Sequence, residues 1–156
     1  MKILFICTAN VSRSFMAEKL MKHELRKQNI THIAVVSAGI IQLSGGSPDP
    51  KMVEYLLEQG ISAENHQPRQ INAQDVEWAD FIFVMEQAHA DWITTRWPDS
   101  ADKVRLLGRF VSADQSADDI ADPFGRSDFF YRLAQSQIMF AVKSVVDKLI
   151  SDPQSL

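Results

Sequence analysis

Short apolar runs alternate with amphipathic segments along this chain. The apolar runs are rich in Ile, Val and Phe, which is typical of buried strands, and they lie at residues 3–7, 32–37, 81–85 and 104–107. Apolar residues recur at helical spacing between and after them, which predicts helices at 14–28, 50–57, 72–79, 86–97 and 130–149. The alternation predicts the α/β class: a single three-layer domain, with a four-stranded parallel sheet and helices on both faces.

The composition is that of a soluble globular protein with one domain, residues 1–156. A chain of 156 residues buries roughly two thirds of its unfolded surface in one core. Hydrophobic residues make up 46% and charged residues 23% of it, without a long apolar span or a basic leader, so we expect a cytoplasmic protein and no membrane insertion. The net charge of −4 argues against nucleic acid as the ligand, because no basic stripe balances a phosphate backbone.

The first apolar run ends at the only cysteine of the chain, in the segment ILFICTANVSRS. A single cysteine excludes an internal disulfide and an all-cysteine metal site, so the thiol serves either packing or chemistry. Parallel sheets bind ligands at the carboxyl ends of their strands, and Cys7 is predicted to lie at such an end. Cys7 is therefore a candidate nucleophile.

The residues between Cys7 and Arg13 form a strand-to-helix loop that suits an anion. If the loop curls around one point, its amide N–H groups and the next helix N-terminus converge there, and Arg13 adds a bidentate fork. The same field stabilises a thiolate at Cys7, and Ser14 either donates its hydroxyl to that thiolate or caps the helix. The alternative is a buried structural cysteine, since a Cys and an Arg at this spacing also arise by composition. The predicted phosphate-binding residues are Thr8, Ala9, Asn10, Val11, Ser12, Arg13 and Ser14.

A nucleophile that attacks phosphorus needs an acid for the leaving oxygen, and Asp122 in the segment IADPFG is the candidate. Pro123 favours an extended conformation at Asp122, and the long polar segment before it can reach back over the strand ends. The alternative is a solvated aspartate in an acidic loop that also contains Asp114, Asp118 and Asp119. Spacing alone favours this alternative.

Together these segments resemble the low-molecular-weight protein tyrosine phosphatase family. The family signature is C-x5-R-S directly after the first strand and D-P near the C-terminus, and CTANVSRS at 7–14 and DPF at 122–124 match it. MAE at 16–18 and SAG at 37–39 extend the resemblance over most of the chain. It implies metal-independent hydrolysis of phosphotyrosine through a phosphocysteine, without a cofactor. Cys7 is then the nucleophile, Arg13 the phosphate clamp, and Asp122 the general acid and later the base.

The resemblance also implies supporting residues and partners. Side-chain hydrogen bonds that shape the loop are implied for Asn10, Ser14, Ser37 and His66, although His66 is alternatively a surface-loop histidine. Phe124 is implied as a wall of the substrate slot. The implied partners are a phosphorylated protein substrate and a tyrosine kinase that produces it. The other histidines, His23, His32 and His89, are too scattered along the chain to be ligands.

Several positions depart from the family pattern. Ala9 stands where glycine is usual, and costs about 1 kcal/mol if that position needs an unusual backbone angle. Ser12 stands where many members have a second cysteine, and Phe124 is followed by Gly125 in place of a second aromatic residue, while 40–50 contains no aromatic residue.

The related activities remain as alternatives. In arginine phosphatases the place of Val11 tends to hold threonine, so the apolar Val11 favours an aromatic substrate. An arsenate reductase coupled to an external thiol, and a non-catalytic module that binds a phosphorylated ligand, are the further alternatives.

Overall fold

The computed structural model describes residues 1–111 and 119–152. Its strands are β1 (Lys2–Cys7), β2 (Ala34–Gly39), β3 (Phe81–Val84) and β4 (Val104–Leu106). Its α-helices are α1 (Arg13–Lys27), α2 (Pro50–Glu58), α3 (Ala73–Trp78), α4 (Gln87–Arg96) and α5 (Asp128–Ser151). Two 3₁₀ segments, Pro98–Lys103 and Leu107–Phe110, flank β4.

The four strands form one parallel sheet in the order β2-β1-β3-β4. Successive residues of a strand point to opposite faces, so Ile3 and Phe5 of β1 pack against α1, α2 and α5, while Leu4 and Ile6 pack against α3 and α4. The predicted three-layer α/β fold is therefore confirmed. None of the helices within 1–111 and 119–152 has the length and apolar character needed to cross a membrane.

Most predicted elements differ from the observed ones by one or two residues at their ends. α5 extends two residues beyond each end of the predicted 130–149. β2 is displaced as a whole by two residues, since the pattern places it at 32–37 and it runs Ala34–Gly39. Its parallel pairing with β1 begins at Lys2 opposite Ala34 and continues to Cys7 opposite Gly39. The pairing therefore draws the SAG segment into the strand and leaves His32 and Ile33 outside it.

The strand order brings the ends of β1 and β3 together. Chain connections leave these two neighbouring strands toward opposite faces of the sheet, which opens a crevice at their carboxyl ends. Cys7 ends β1, and Glu86 follows β3 at the start of α4. The predicted nucleophile thus lies where this fold class binds its ligands.

Candidate active site

The loop from Cys7 to Arg13 turns its carbonyl groups outward. The carbonyls of Cys7 and Thr8 accept from the backbone N–H groups of residues 40 and 41, at 3.0 and 2.9 Å, and the carbonyl of Val11 accepts from Asp49 at 2.7 Å. No hydrogen bond within the described part of the chain uses the backbone N–H groups of residues 8–12. These donors and the N-terminus of α1 are available to an anion, and the loop 7–13 is called the cradle below.

Two buried side-chain donors of the cradle also have no partner among residues 1–111 and 119–152: Arg13 Nε and Ser12 Oγ. Arg13 is only 1% exposed, and Ser12 precedes α1 without capping it. A buried donor that lacks an acceptor costs about 1–3 kcal/mol. An anion bound in the cradle would remove this cost, so these atoms are independent support for an anion site.

Ser14 hydrogen-bonds to the thiol rather than capping the helix. Its Oγ lies 3.0 Å from Cys7 Sγ and accepts from Asn10 Nδ2 at 2.9 Å. Because the Asn10 amide supplies its own hydrogen, the Ser14 proton is free to point to a Cys7 thiolate, with the Ala38 carbonyl 3.3 Å away as its other acceptor. Of the two interpretations of Ser14, the structure supports the hydrogen bond to sulfur.

Asn10 holds the cradle in shape. Its backbone has φ of 60°, a left-handed conformation that Asn adopts more readily than most residues, whereas Ala9 is not in that region. The strain expected at Ala9 is therefore absent. The Asn10 amide also donates to Ser37 Oγ at 2.8 Å, and Ser37 in turn donates to the buried Glu18. Donation therefore runs in two directions from the Asn10 amide: through Ser14 toward Cys7, and through Ser37 to Glu18.

His66 and Gly39 contact the cradle from the outside. His66 Nε2 donates to the Asn10 carbonyl at 2.8 Å, and its ring packs on Phe15 with centroids 4.4 Å apart. Burial lowers the pKa of His66, against an opposing effect of the Asn10 carbonyl. A Cβ at Gly39 would lie 2.7 Å from the Thr8 oxygen and the Ala9 carbonyl carbon. The cradle therefore rests directly on the end of β2.

Arg13 is anchored through Nη1, and its Nη2 points toward Asp122. Nη1 pairs with Glu86 and donates to the Ile120 carbonyl at 2.7 Å. Nη2 lies 3.1 Å from Asp122 Oδ2 and 3.4 Å from Thr8 Oγ1. Of the guanidinium nitrogens, Nε alone has no partner among the described residues. A phosphoryl oxygen that binds Nη2 as well would take the place of its contact with Thr8 or Asp122.

Asp122 lies beside the cradle rather than in bulk solvent. Its side chain is 44% exposed, and its Oδ1 accepts from the Phe124 N–H at 3.1 Å. Of the acidic neighbours, Asp119 accepts from the N–H of Gln87 at 2.8 Å, while Asp114 and Asp118 lie outside the described residues. The contact with Arg13 brings the predicted acid and the predicted clamp together.

A cavity of about 470 Å³ opens over Cys7. Its walls are the cradle, the segment 41–50 and the pair Asp122 and Phe124. The segment 40–50 has no aromatic residue, and Ile41 and Leu43 supply apolar surface there. Among the described residues that line the cavity, Phe124, which is 66% exposed, is the one aromatic side chain. The slot is therefore mainly aliphatic.

His89, which the sequence did not single out, also lies at this site. It is 2% exposed, its Nδ1 accepts from the Glu86 N–H at 3.2 Å, and its Nε2 lies 3.1 Å from Thr8 Oγ1. Because Nδ1 accepts, the proton of the neutral ring is on Nε2 and is donated to Thr8. Burial, followed by the Arg13 charge, lowers the pKa of His89 to about 4, against the opposing carboxylates of Glu86, Asp122 and Asp119.

The shifted pKa of His89 predicts a pH dependence of stability. Below about pH 6.5 the unfolded chain protonates this histidine, while the folded protein keeps it neutral down to about pH 4. The free energy of unfolding therefore decreases as the pH is lowered from about 6.5 to about 4. The contribution is at most about 3 kcal/mol. Chemical denaturation of wild type and His89→Gln at pH 4 to 7 measures it, and the variant should show the shallower slope. Parallel slopes for the two proteins would contradict the assignment.

Comparison with known proteins gives the site a context. The profile of the family described as low molecular weight phosphotyrosine protein phosphatase matches residues 2–154. A protein-arginine-phosphatase of Geobacillus stearothermophilus is 33% identical over 148 residues, covering 95% of each chain. A probable low molecular weight protein-tyrosine-phosphatase, EpsP, of Ralstonia nicotianae is 33% identical over 147 residues, covering 94% of each. The crystal structure of a low molecular weight protein tyrosine phosphatase from T. tengcongensis superposes with a TM-score of 0.85 at 26% identity, covering 96% of this chain and 99% of the other.

Proposed function

Because the chain belongs to the low molecular weight phosphotyrosine protein phosphatase family, we propose that it hydrolyses phosphotyrosine in proteins without a metal ion. The observation that carries the proposal is the set of unpaired donors around Cys7: the cradle amides, Ser12 Oγ and Arg13 Nε. A phosphoryl group is the anion whose oxygens satisfy these donors while its phosphorus faces the thiol. The substrate is then a phosphorylated protein, and a tyrosine kinase is its source.

The first chemical step transfers the phosphoryl group to Cys7. The Cys7 thiolate attacks phosphorus and forms an S–P bond as the P–O bond to the phenol breaks, while the carboxyl of Asp122 gives its proton to the departing oxygen. The cradle amides and the Nε and Nη2 groups of Arg13 stabilise the charge that develops on the phosphoryl oxygens. Ser14 is 3.0 Å from the sulfur and donates to the thiolate before attack.

The second step releases phosphate. The Asp122 carboxylate, now without its proton, takes one from a water molecule, which attacks phosphorus as the S–P bond breaks. The products are inorganic phosphate and the original thiolate, so neither an electron donor nor a metal is consumed. Asp122 lies 3.1 Å from Arg13 Nη2, so a phosphoryl group held by Arg13 is next to this carboxylate in both steps.

Hydrolysis of phosphoarginine is the second candidate function. It is favoured by the similarity to a protein-arginine-phosphatase and by cavity walls in which, among the described residues, Phe124 is the one aromatic side chain. The apolar side chain of Val11 in the same wall favours an aryl group, because it offers a guanidinium no hydrogen-bond acceptor.

A peptide panel tests the proposal. We expect hydrolysis of an aryl phosphate in the presence of a chelator, and higher kcat/KM for a phosphotyrosine peptide than for matched phosphoserine and phosphoarginine peptides. A preference for phosphoarginine would establish the second candidate. Binding of phosphate with no turnover would indicate a non-catalytic module, and thiol-dependent arsenate reduction without ester hydrolysis would indicate a reductase.

Asp122→Asn tests the acid role. The amide cannot donate the proton, so kcat/KM should fall about 10²- to 10⁴-fold for aryl phosphates with poor leaving groups and much less for those with good ones. Steady-state kinetics over a series of substituted phenyl phosphates measures this dependence. Asp119→Asn is the matched control, and an equal loss at every leaving group in Asp122→Asn would mean that Asp122 only shapes the loop.

A further inference from the structure

A buried hydrogen bond joins Asp49, which lines the slot, to α5, the helix that follows the Asp122 segment. Tyr131, in the first turn of α5, donates its hydroxyl to Asp49 Oδ2 at 2.8 Å. Tyr131 is 6% and Asp49 3% exposed. Burial, followed by this hydrogen bond, raises the pKa of Tyr131 above its ordinary value, so the hydroxyl remains a donor throughout the neutral pH range.

Asp49 connects Tyr131 to the cradle. Its backbone N–H donates to the Val11 carbonyl at 2.7 Å, and its Oδ1 caps α2 by accepting from the Lys51 N–H at 3.0 Å. The Lys51 ammonium lies 4.6 Å from the centroid of the Tyr131 ring and pairs with Asp128 at the start of α5. Asp49 therefore links the cradle, through its backbone N–H, to the N-termini of α2 and α5, through its carboxylate.

The segment that carries Asp122 is held at its two ends and at Asp122 itself. Asp122 lies 3.1 Å from Arg13 Nη2 and Pro123 is buried. Residues 124–127, between this point and α5, are exposed, with a turn from the Arg126 N–H to the Pro123 carbonyl at 2.9 Å. At the first end, Ile120 is fully buried and its N–H donates to the Met85 carbonyl at 2.8 Å. At the second end, α5 begins and Tyr131 makes its bond to Asp49.

We propose that Tyr131 is a positioning residue for the acid step: its bond to Asp49 fixes the second end of the Asp122 segment against the cradle. Without that bond the carboxyl of Asp122 is held less closely to the leaving oxygen, while Cys7 and Arg13 keep their places. The inference rests on the proposed phosphatase function. It predicts that loss of the bond impairs proton donation by Asp122 and leaves phosphate binding intact.

Tyr131→Phe in the full chain tests the proposal, because it removes the hydroxyl and keeps the ring. For aryl phosphates with poor leaving groups we expect kcat/KM to fall about ten-fold, and for those with good leaving groups less than about two-fold. The plot of log kcat/KM against leaving-group pKa should become steeper. Vanadate affinity and the rate of Cys7 alkylation should match wild type.

Tyr55→Phe is the matched control. Tyr55 is the other tyrosine of the chain, and its hydroxyl also joins α2 to α5, through Met139 Sδ at 3.2 Å. This variant should keep the wild-type leaving-group dependence. If Tyr131→Phe does not fold, Asp49→Asn keeps an acceptor for the cap of α2 and weakens the bond to the Tyr131 hydroxyl, so it should show a smaller steepening in the same direction.

The outcomes separate this inference from the proposed function. A wild-type protein that hydrolyses no aryl phosphate overturns both. An active wild type with a Tyr131→Phe variant that is unchanged, or that loses activity equally for every leaving group, overturns only the positioning role. The same steepening in Tyr55→Phe would also overturn it, because any loosening of α2 from α5 would then have that effect.

Discussion

Replacing Cys7 with Ser is expected to reduce hydrolysis of aryl phosphates by roughly 10⁴- to 10⁶-fold. A serine hydroxyl is a far weaker nucleophile at neutral pH than a thiolate, and the cradle has no second thiol, since Cys7 is the only cysteine of the chain. The donors that hold the phosphoryl group, the cradle amides and Arg13, are unchanged by the substitution. Binding of vanadate or phosphate should therefore stay within a few-fold of wild type.

Steady-state kinetics and isothermal titration with vanadate measure the two halves of this prediction. Loss of turnover together with loss of vanadate binding would mean that the variant has a collapsed cradle, which a thermal unfolding curve would detect. Turnover close to that of wild type in Cys7→Ser would exclude Cys7 as the nucleophile and remove the basis of the proposed function.

Arg13→Lys is expected to lower kcat/KM by roughly 10²- to 10³-fold. A lysine ammonium is a single point of charge, whereas the guanidinium pairs with Glu86 and donates to Ile120 through Nη1 and still has Nε, which lacks a partner among the described residues, for the substrate. A single ammonium cannot keep the contacts with Glu86 and Ile120 and also bind the phosphoryl oxygens. Vanadate should also bind more weakly, in contrast to Cys7→Ser.

Arg96→Lys is the control for this substitution. Arg96 lies at the end of α4, where its guanidinium stacks on Trp92, and its replacement should leave kcat/KM unchanged. Activity of Arg13→Lys within a few-fold of wild type would show that charge alone suffices at this position. It would also mean that the pair with Glu86 serves stability rather than substrate binding.

The hydrophobic pattern predicted the fold because period-2 burial in strands and 3.6-residue burial in helices are local properties of the chain. The ends of β2 were less predictable, since pairing with β1 and not local pattern decides where that strand stops. The placement of Cys7 followed from the same logic, because a parallel sheet puts strand ends at the ligand edge.

Only part of the side-chain network around the cradle could be predicted from the sequence. Asn10, Ser14, Ser37 and His66 came from the family resemblance, and the structure brings all four to the cradle. The contact of His89 with Thr8 spans 81 positions, and no periodicity links residues so far apart. A histidine just after the third apolar run was the available signal, because that run ends at the same edge of the sheet as Cys7.

The bond between Tyr131 and Asp49 was missed for a related reason. A tyrosine at helical spacing in an apolar helix is normally part of the core, and an aspartate before a proline is normally a helix cap. Asp49 does cap α2, so the sequence pattern gives no separate signal for its hydrogen bond with Tyr131.

The close contact of Gly39 with the cradle bears on protein engineering. By its sequence alone, the CTANVSRS segment could be transferred to another protein as a self-contained insert between a strand and a helix. In this fold, however, its main chain lies so close to the neighbouring strand that a Cβ at residue 39 would be 2.7 Å from the Thr8 oxygen and 2.8 Å from the Asn10 nitrogen. A host protein that received the segment beside an ordinary strand end would push the loop away from the sheet and open the ring of amides. A graft of the cradle therefore has to include the glycine from the adjacent strand.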